Sequence, residues 1–211
     1  MKKILATFLL LALTLAGARA EHDGKVQILL LGDSSTEAKF PKLLAPKEPQ
    51  FEEVIDLLLA AEGDLPPTHT TNLGLSGEYI RRLIDSGRYE KQASKLPGLD
   101  YIFIRYGLND NSKRTNFVEN FPKDFHELIA KLRADHPQAM LIPMTVIPFG
   151  DEAVSAKVNK LIRDFAVAEK LTLFDIYPRY AAELKRVTEA LGETDLVRRA
   201  LPALPALPPK G

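Results

Sequence analysis

Short apolar runs alternate with longer amphipathic stretches along this 211-residue chain, and few folds accommodate that rhythm. Five runs read as buried strands: Lys25–Leu31, His69–Leu73, Asp100–Tyr106, Ala139–Ile147 and Leu171–Asp175. Between them, apolar residues recur at helical spacing. Phe51–Glu62 carries Val54, Ile55, Leu58 and Leu59, and Glu78–Ser86 carries Ile80, Leu83 and Ile84. A helix capped by Asn120 and reaching Ala134 carries Phe125, Leu128, Ile129 and Leu132. Asp151–Lys170 carries Val154, Val158, Leu161, Ile162 and Phe165, and Pro178–Leu191 carries Tyr180, Leu184, Val187 and Leu191. Strands and helices in alternation predict a parallel sheet with helices on both faces. Pro143 has no N–H for a ladder, which predicts a bulge or a free edge within the fourth run.

The two ends differ from the middle. Lys2 and Lys3 precede an almost wholly apolar stretch from Ile4 to Ala16, and Ala18-Arg19-Ala20 supplies small residues for cleavage. Residues 1–20 therefore read as a secretory signal, with Glu21 opening an exported, periplasmic or extracellular, mature chain. A permanent anchor is the competing reading, but the run is short for a membrane span and no Cys is present to carry a lipid. Without Cys there are no disulfides, which neither proves nor excludes export. Residues 21–192 suit one domain. In residues 193–211, Leu201-Pro-Ala-Leu-Pro-Ala-Leu-Pro-Pro is low-complexity and reads as a loose tail. Lys+Arg and Asp+Glu are 28 each, and losing Lys2, Lys3 and Arg19 with the signal leaves acids in a small excess. With no basic stripe, nucleic acid is not an expected partner.

The first three strands each end in a glycine-bearing polar turn: Gly32-Asp33-Ser34, Gly74-Leu75-Ser76-Gly77 and Gly107-Leu108-Asn109-Asp110. In an open α/β sheet, ligands bind beyond the carboxyl ends of the strands, so these turns would share one crevice. Taken singly, Gly-Asp-Ser is also what a strand-to-helix turn with an Asp33 or Ser34 N-cap looks like. Taken together, a hydroxyl, backbone N–H groups and a side-chain amide are what acyl transfer needs: a nucleophile, and donors for the oxyanion. No Gly-x-Gly-x-x-Gly or P-loop pattern supports nucleotide binding.

With these turns in view, residues Val26 to Tyr177 resemble the SGNH (GDSL-type) hydrolases. Leu-Gly-Asp-Ser-Ser at 31–35 looks like that family's first block, Asn-Leu-Gly-Leu-Ser-Gly-Glu at 72–78 its second, and Gly-Leu-Asn-Asp at 107–110 its third. The resemblance implies a flavodoxin-like three-layer α/β/α sandwich with a five-stranded parallel sheet. It implies Ser34 as nucleophile, with the Ser34 and Gly77 N–H groups and the Asn109 amide as the oxyanion hole. It also implies ester hydrolysis without a metal or other cofactor, on small-molecule or carbohydrate esters such as acetyl groups. The family's last block, Asp-x-x-His, is absent. None of His22, His69, His126 and His136 is placed to replace it. The nearest imitation, Asp195-Leu-Val-Arg198, puts a permanently protonated guanidinium where a base belongs. The helix that follows that block in the family gives way to the Leu-Pro-Ala tail, which implies a core face left uncovered and low stability. The alternative to an exported serine esterase is thus a truncated or inactive protein of the same fold that binds ligand without efficient hydrolysis. Asp110 reads as a turn or capping carboxylate rather than a triad acid. Arg105 reads as the partner of a nearby carboxylate.

Overall fold

In this computed structural model, residues 24–191 are described. The expected signal segment, residues 1–20, and the tail, 193–211, lie outside the described residues. In chain order the elements are β1 Val26–Gly32, α1 Ser34–Glu37, α2 Lys39–Leu44, α3 Phe51–Ala61, β2 Thr68–Asn72, α4 Ile80–Asp85 and α5 Arg88–Lys91. There follow a short 3₁₀ turn, Ala93–Lys95, then β3 Tyr101–Arg105, α6 Leu108–Lys113, α7 Phe117–Asp135, β4 Met140–Pro143, α8 Glu152–Ala168 and α9 Tyr177–Leu191. No helix among the described residues is long and apolar enough to cross a membrane.

The sheet is parallel throughout, in the order β2-β1-β3-β4, with helices on both faces. It has four strands, not the five expected. The fifth run, Leu171–Asp175, comes alongside β4 but forms a single bridge, Met144 to Phe174. Pro143 explains this. Met140 and Met144 turn their N–H groups towards β3, bonding Asp100 O and Ile104 O, so the alternate residues face outwards. On that outer side Pro143 O accepts from Phe174 N at 2.9 Å, but Pro143 has no donor to return. The expected interruption therefore falls on the outer edge of β4 and costs the sheet its fifth strand.

One face of the sheet carries the main core. Leu29, Leu31, Ile102, Ile104 and Leu141 pack there against Ile80 and Leu83 of α4, Leu128 and Ile129 of α7 and Ile162 of α8. Helix α7 begins at Phe117, three residues ahead of the expected cap, and runs through Pro122. Aromatic packing accounts for the longer helix: Phe117, Phe121 and Phe125 pack in series at centroid distances of 5.0 and 5.6 Å, and Phe125 stacks on Phe165 at 4.5 Å.

The other face holds α3 and the start of α9. Asp56 ties α3 to β2 by accepting from Thr68 Oγ1 (2.7 Å), Thr70 N (3.0 Å) and Thr70 Oγ1 (2.7 Å). The apolar stripe expected on this helix is split, since Ile55 is half-buried while Val54 and Leu58 are exposed. Between α3 and α9, Ile28, Leu30 and Phe103 floor an open groove of about 1100 Å³. Ile28 and Leu30 are buried at the bottom of this groove, while Phe103 is half-buried.

Candidate active site

The pairing registers Leu30 with Asn72 and Gly32 with Arg105, so β1, β2 and β3 finish on one edge. Each then enters its glycine-bearing turn there. After β1, Asp33 takes the N-cap of α1, its Oδ1 accepting from Ser35 N at 2.9 Å and Ser35 Oγ at 2.7 Å. With Asp33 buried in that role, Ser34 is left exposed at the first helical position. The capping alternative for this motif thus belongs to Asp33.

The second turn is fastened to the first. Leu75 N donates to Gly32 O (3.0 Å), Asn72 Nδ2 to Thr36 O (2.9 Å) and Ser76 N to Glu37 Oε2 (2.7 Å). Gly74 lies so close to α1 that a Cβ there would stand 2.3 Å from Glu37 N. Gly77 adopts φ +74°, a left-handed conformation that favours glycine. Its carbonyl accepts from Lys113 Nζ at 2.5 Å, and its N–H has no hydrogen-bond partner among the described residues.

The third turn joins the other two. Asn109 Nδ2 donates to Glu78 O at 3.1 Å, next to Gly77, and reaches Asp33 Oδ2 at 3.4 Å, next to Ser34. Ser34, Gly77 and Asn109 are therefore drawn into one neighbourhood through their immediate neighbours. Asp110 is the capping carboxylate expected, accepting from Ile80 N and Gly107 N at 3.0 Å each. Burial pushes its carboxyl up to about 7, against the lowering effect of those two bonds.

Behind the crevice lie groups that sequence reasoning missed. Glu78 is fully buried and receives Tyr106 OH at 2.7 Å and Arg88 Nη1 at 2.6 Å. Desolvation raises its pKa while both partners pull the other way. Its only signal was its place directly after Gly77. Arg105 is also buried, but the expected carboxylate partner is not what it bonds. Its Nε donates to Thr36 Oγ1 at 3.2 Å and its Nη2 to Ser35 O, beneath the turn that carries Ser34. Strand β3 ends level with α1, so the nearest acceptors are that turn's own oxygens. The charge of Asp33 acts on it only at longer range.

No described histidine reaches this edge. His69 sits near the start of β2, and His136 precedes β4, with Nε2 3.0 Å from Ala93 O. His126 is on the exposed side of α7, 2.7 Å from Glu169. Asp175, at the end of the fifth run, is bound by Arg163 and Thr145 Oγ1 and has its pKa lowered mainly by the Arg163 bond. His22, Asp195 and Arg198 lie outside the described residues. Among the described residues, no cluster of His, Cys, Asp and Glu is arranged to hold a metal ion.

Comparison with known proteins follows the same lines. No curated protein matches the sequence. Among solved structures, the acetyl xylan esterase AlAXEase is similar at 20% identity and TM-score 0.59, over 78% of this chain and 84% of its own. Axe2, an acetylxylan esterase from Geobacillus stearothermophilus, is similar at 20% identity and TM-score 0.57, over 82% and 88%. LAE5, an α/β hydrolase from the metagenome of Lake Arreo, Spain, is similar at 21% identity and TM-score 0.57, over 76% and 81%. At such identities the likeness establishes the fold. The model of the GDSL-like lipase/acylhydrolase family matches residues 30–196, which include all three turns, and the chain belongs to that family.

Proposed function

We propose that this chain is an exported serine hydrolase of small acyl esters, with Ser34 as nucleophile and the Gly77 N–H, the Asn109 amide and the Ser34 N–H as oxyanion donors. The observation that carries the reading is the Asn109 side chain, which spans from the residue beside Ser34 to the residue beside Gly77. In the reaction, Ser34 Oγ attacks the ester carbonyl and the donors hold the negative charge that moves onto the carbonyl oxygen. The alcohol departs with a proton, and water then releases the acid from the acyl-serine. Acetyl groups on carbohydrate are the favoured substrate class, supported by the acetyl xylan esterases among the similar folds.

A second reading rests on a specific observation: the three described histidines lie away from the carboxyl edge, and the position imitating the family's base is Arg198. On that reading the crevice binds an ester and turns it over poorly. In triad enzymes, losing the base costs on the order of 10⁶ in turnover, leaving roughly 10³–10⁴ over water from the oxyanion hole and binding.

One experiment separates the readings. The full chain and Ser34→Ala are compared with p-nitrophenyl acetate and with a fluorophosphonate that labels active serines. The hydrolase reading expects turnover to fall at least ~10²-fold and labelling at Ser34 to vanish in the variant. Equal rates with no labelling of either protein leave the binding reading. Export is tested separately by the N-terminus of the protein recovered outside the cytoplasm, which is expected at Glu21.

A further inference from the structure

The backbone donors of the second turn are nearly all engaged. Gly74 N bonds Asn72 Oδ1, Leu75 N bonds Gly32 O, Ser76 N bonds Glu37 Oε2 and Glu78 N bonds Leu75 O. Among the described residues, the Gly77 N–H is the donor left over. Its direction is therefore set by whatever fixes the two ends of the turn.

Both ends meet one side chain. Arg88, at the start of α5, donates through Nη2 to Leu73 O and through Nη1 to Glu78 Oε2, each at 2.6 Å. Leu73 leads into the turn and Glu78 follows it. A guanidinium is a rigid planar fork, so its two nitrogens set the spacing of the groups they bond. A lysine ammonium is a point charge and sets no such spacing.

We propose that Arg88 is a positioning residue of the candidate site. By clasping the turn at Leu73 and Glu78, it aims the Gly77 N–H and, through the Glu78 carbonyl, the Asn109 amide at the space beside Ser34.

Glu78 is the residue through which this works. Its carbonyl accepts from Asn109 Nδ2 at 3.1 Å, and its carboxylate also receives Tyr106 OH at 2.7 Å. Tyr106 is followed directly by Gly107, where the third turn begins. Glu78 Oε1 is buried without a partner among the described residues, so Oε2 carries both bonds. The carboxylate is thus placed by Arg88 from one side and by Tyr106 from the other. Oxyanion donors act by being in place before charge develops, and a misplacement of about 1 Å can cost ~10²-fold in rate. Loosening the clasp should lower kcat and leave ground-state binding alone. Its effect on rate rests on the hydrolase reading above; its hold on the two donors does not.

The test is Arg88→Lys in the full chain, which keeps a charge beside Glu78 and gives up the fork. Chemical denaturation fixes conditions under which both proteins are folded. With p-nitrophenyl acetate, kcat should fall ~10–10²-fold while KM stays within about twofold of wild type. In isotopically labelled protein, the NMR signals of the Gly77 N–H and the Asn109 side-chain amide should shift. Those of the Asn159 amide, which bonds Val146 O elsewhere in the core, should stay in place. In an active wild type, an unchanged kcat, including a loss confined to KM, overturns the proposal. So does a fall in kcat with unmoved Gly77 and Asn109 signals. If the wild type neither hydrolyses the ester nor takes the fluorophosphonate, the hydrolase reading has failed, and the amide signals alone decide whether Arg88 places the donors. Should Arg88→Lys fail to fold, Arg88→Gln is read in the same way. If neither folds, Arg88 serves the fold as a whole and the proposal falls.

Discussion

Charged groups buried at the carboxyl edge of the sheet behave according to what each can bond. Asp110 receives two backbone N–H groups yet titrates near 7, because burial outweighs them. Its folded pKa lies above its ordinary 3.8, so folding favours the protonated carboxyl. Its contribution to stability is full below about pH 4 and is lost as pH rises through about 7. Asp110→Asn removes this titration and keeps one acceptor. Thermal melts from pH 4 to 8 should show the wild type losing stability relative to the variant as pH rises. A wild type that gains on the variant across that range would mean the two N–H bonds, not burial, set the carboxyl. Arg105 presents the opposite problem, a buried cation whose hydrogen bonds go to a carbonyl and a hydroxyl. Arg105→Met fills similar space and leaves Ser35 O without its donor. The cost should be about 1–3 kcal/mol by chemical denaturation. Phosphonate labelling of Ser34 should slow as well, because the turn loses its support from below.

At the level of elements, what could be read from the sequence depended on whether the signal was local. The first four strands and the long helices α7 and α8 show plainly, because periodicity reports which face is buried. The three turns also show, since Gly-Asp-Ser, Gly-Leu-Ser-Gly and Gly-Leu-Asn-Asp each follow an apolar run. Pro143 was visible as an interruption, but which edge it would face depends on the register with β3, and that is a tertiary fact. The early start of α7 came from Phe117 and Phe121 finding Phe125 and Phe165, a packing gain that no capping rule contains. The partners of Glu78 and Arg105 were hidden for the same reason, since Tyr106 and Arg88 reach Glu78 from other parts of the chain. The staple between the first two turns is likewise long-range, and it makes Gly74 critical. In Gly74→Ala the new methyl meets backbone of α1 at 2.3 to 2.8 Å, so the second turn must lift away from the helix carrying Ser34. A loss of about 1–3 kcal/mol is expected, as for overpacking elsewhere. Esterase activity or phosphonate labelling should fall further than stability alone accounts for. A folded Gly74→Ala protein with unchanged labelling would show that the two turns work independently.

For the whole molecule, the two faces of the sheet make a stability comparison possible on adjacent residues. Ile102 and Phe103 are neighbours in β3 and point to opposite faces. Ile102 is fully buried in the main core, while Phe103 faces the groove and is half-buried among the described residues. Ile102→Ala should cost about 2–5 kcal/mol, the range for a large aliphatic side chain removed from a packed core. Phe103→Ala should cost less, because the ring borders the groove, has solvent beside it, and leaves no closed cavity when removed. Chemical denaturation of the two variants checks the comparison. Equal losses would mean that the groove face of β3 is packed as tightly as the core face, and that alternation along the strand does not divide the sheet into a closed and an accessible side.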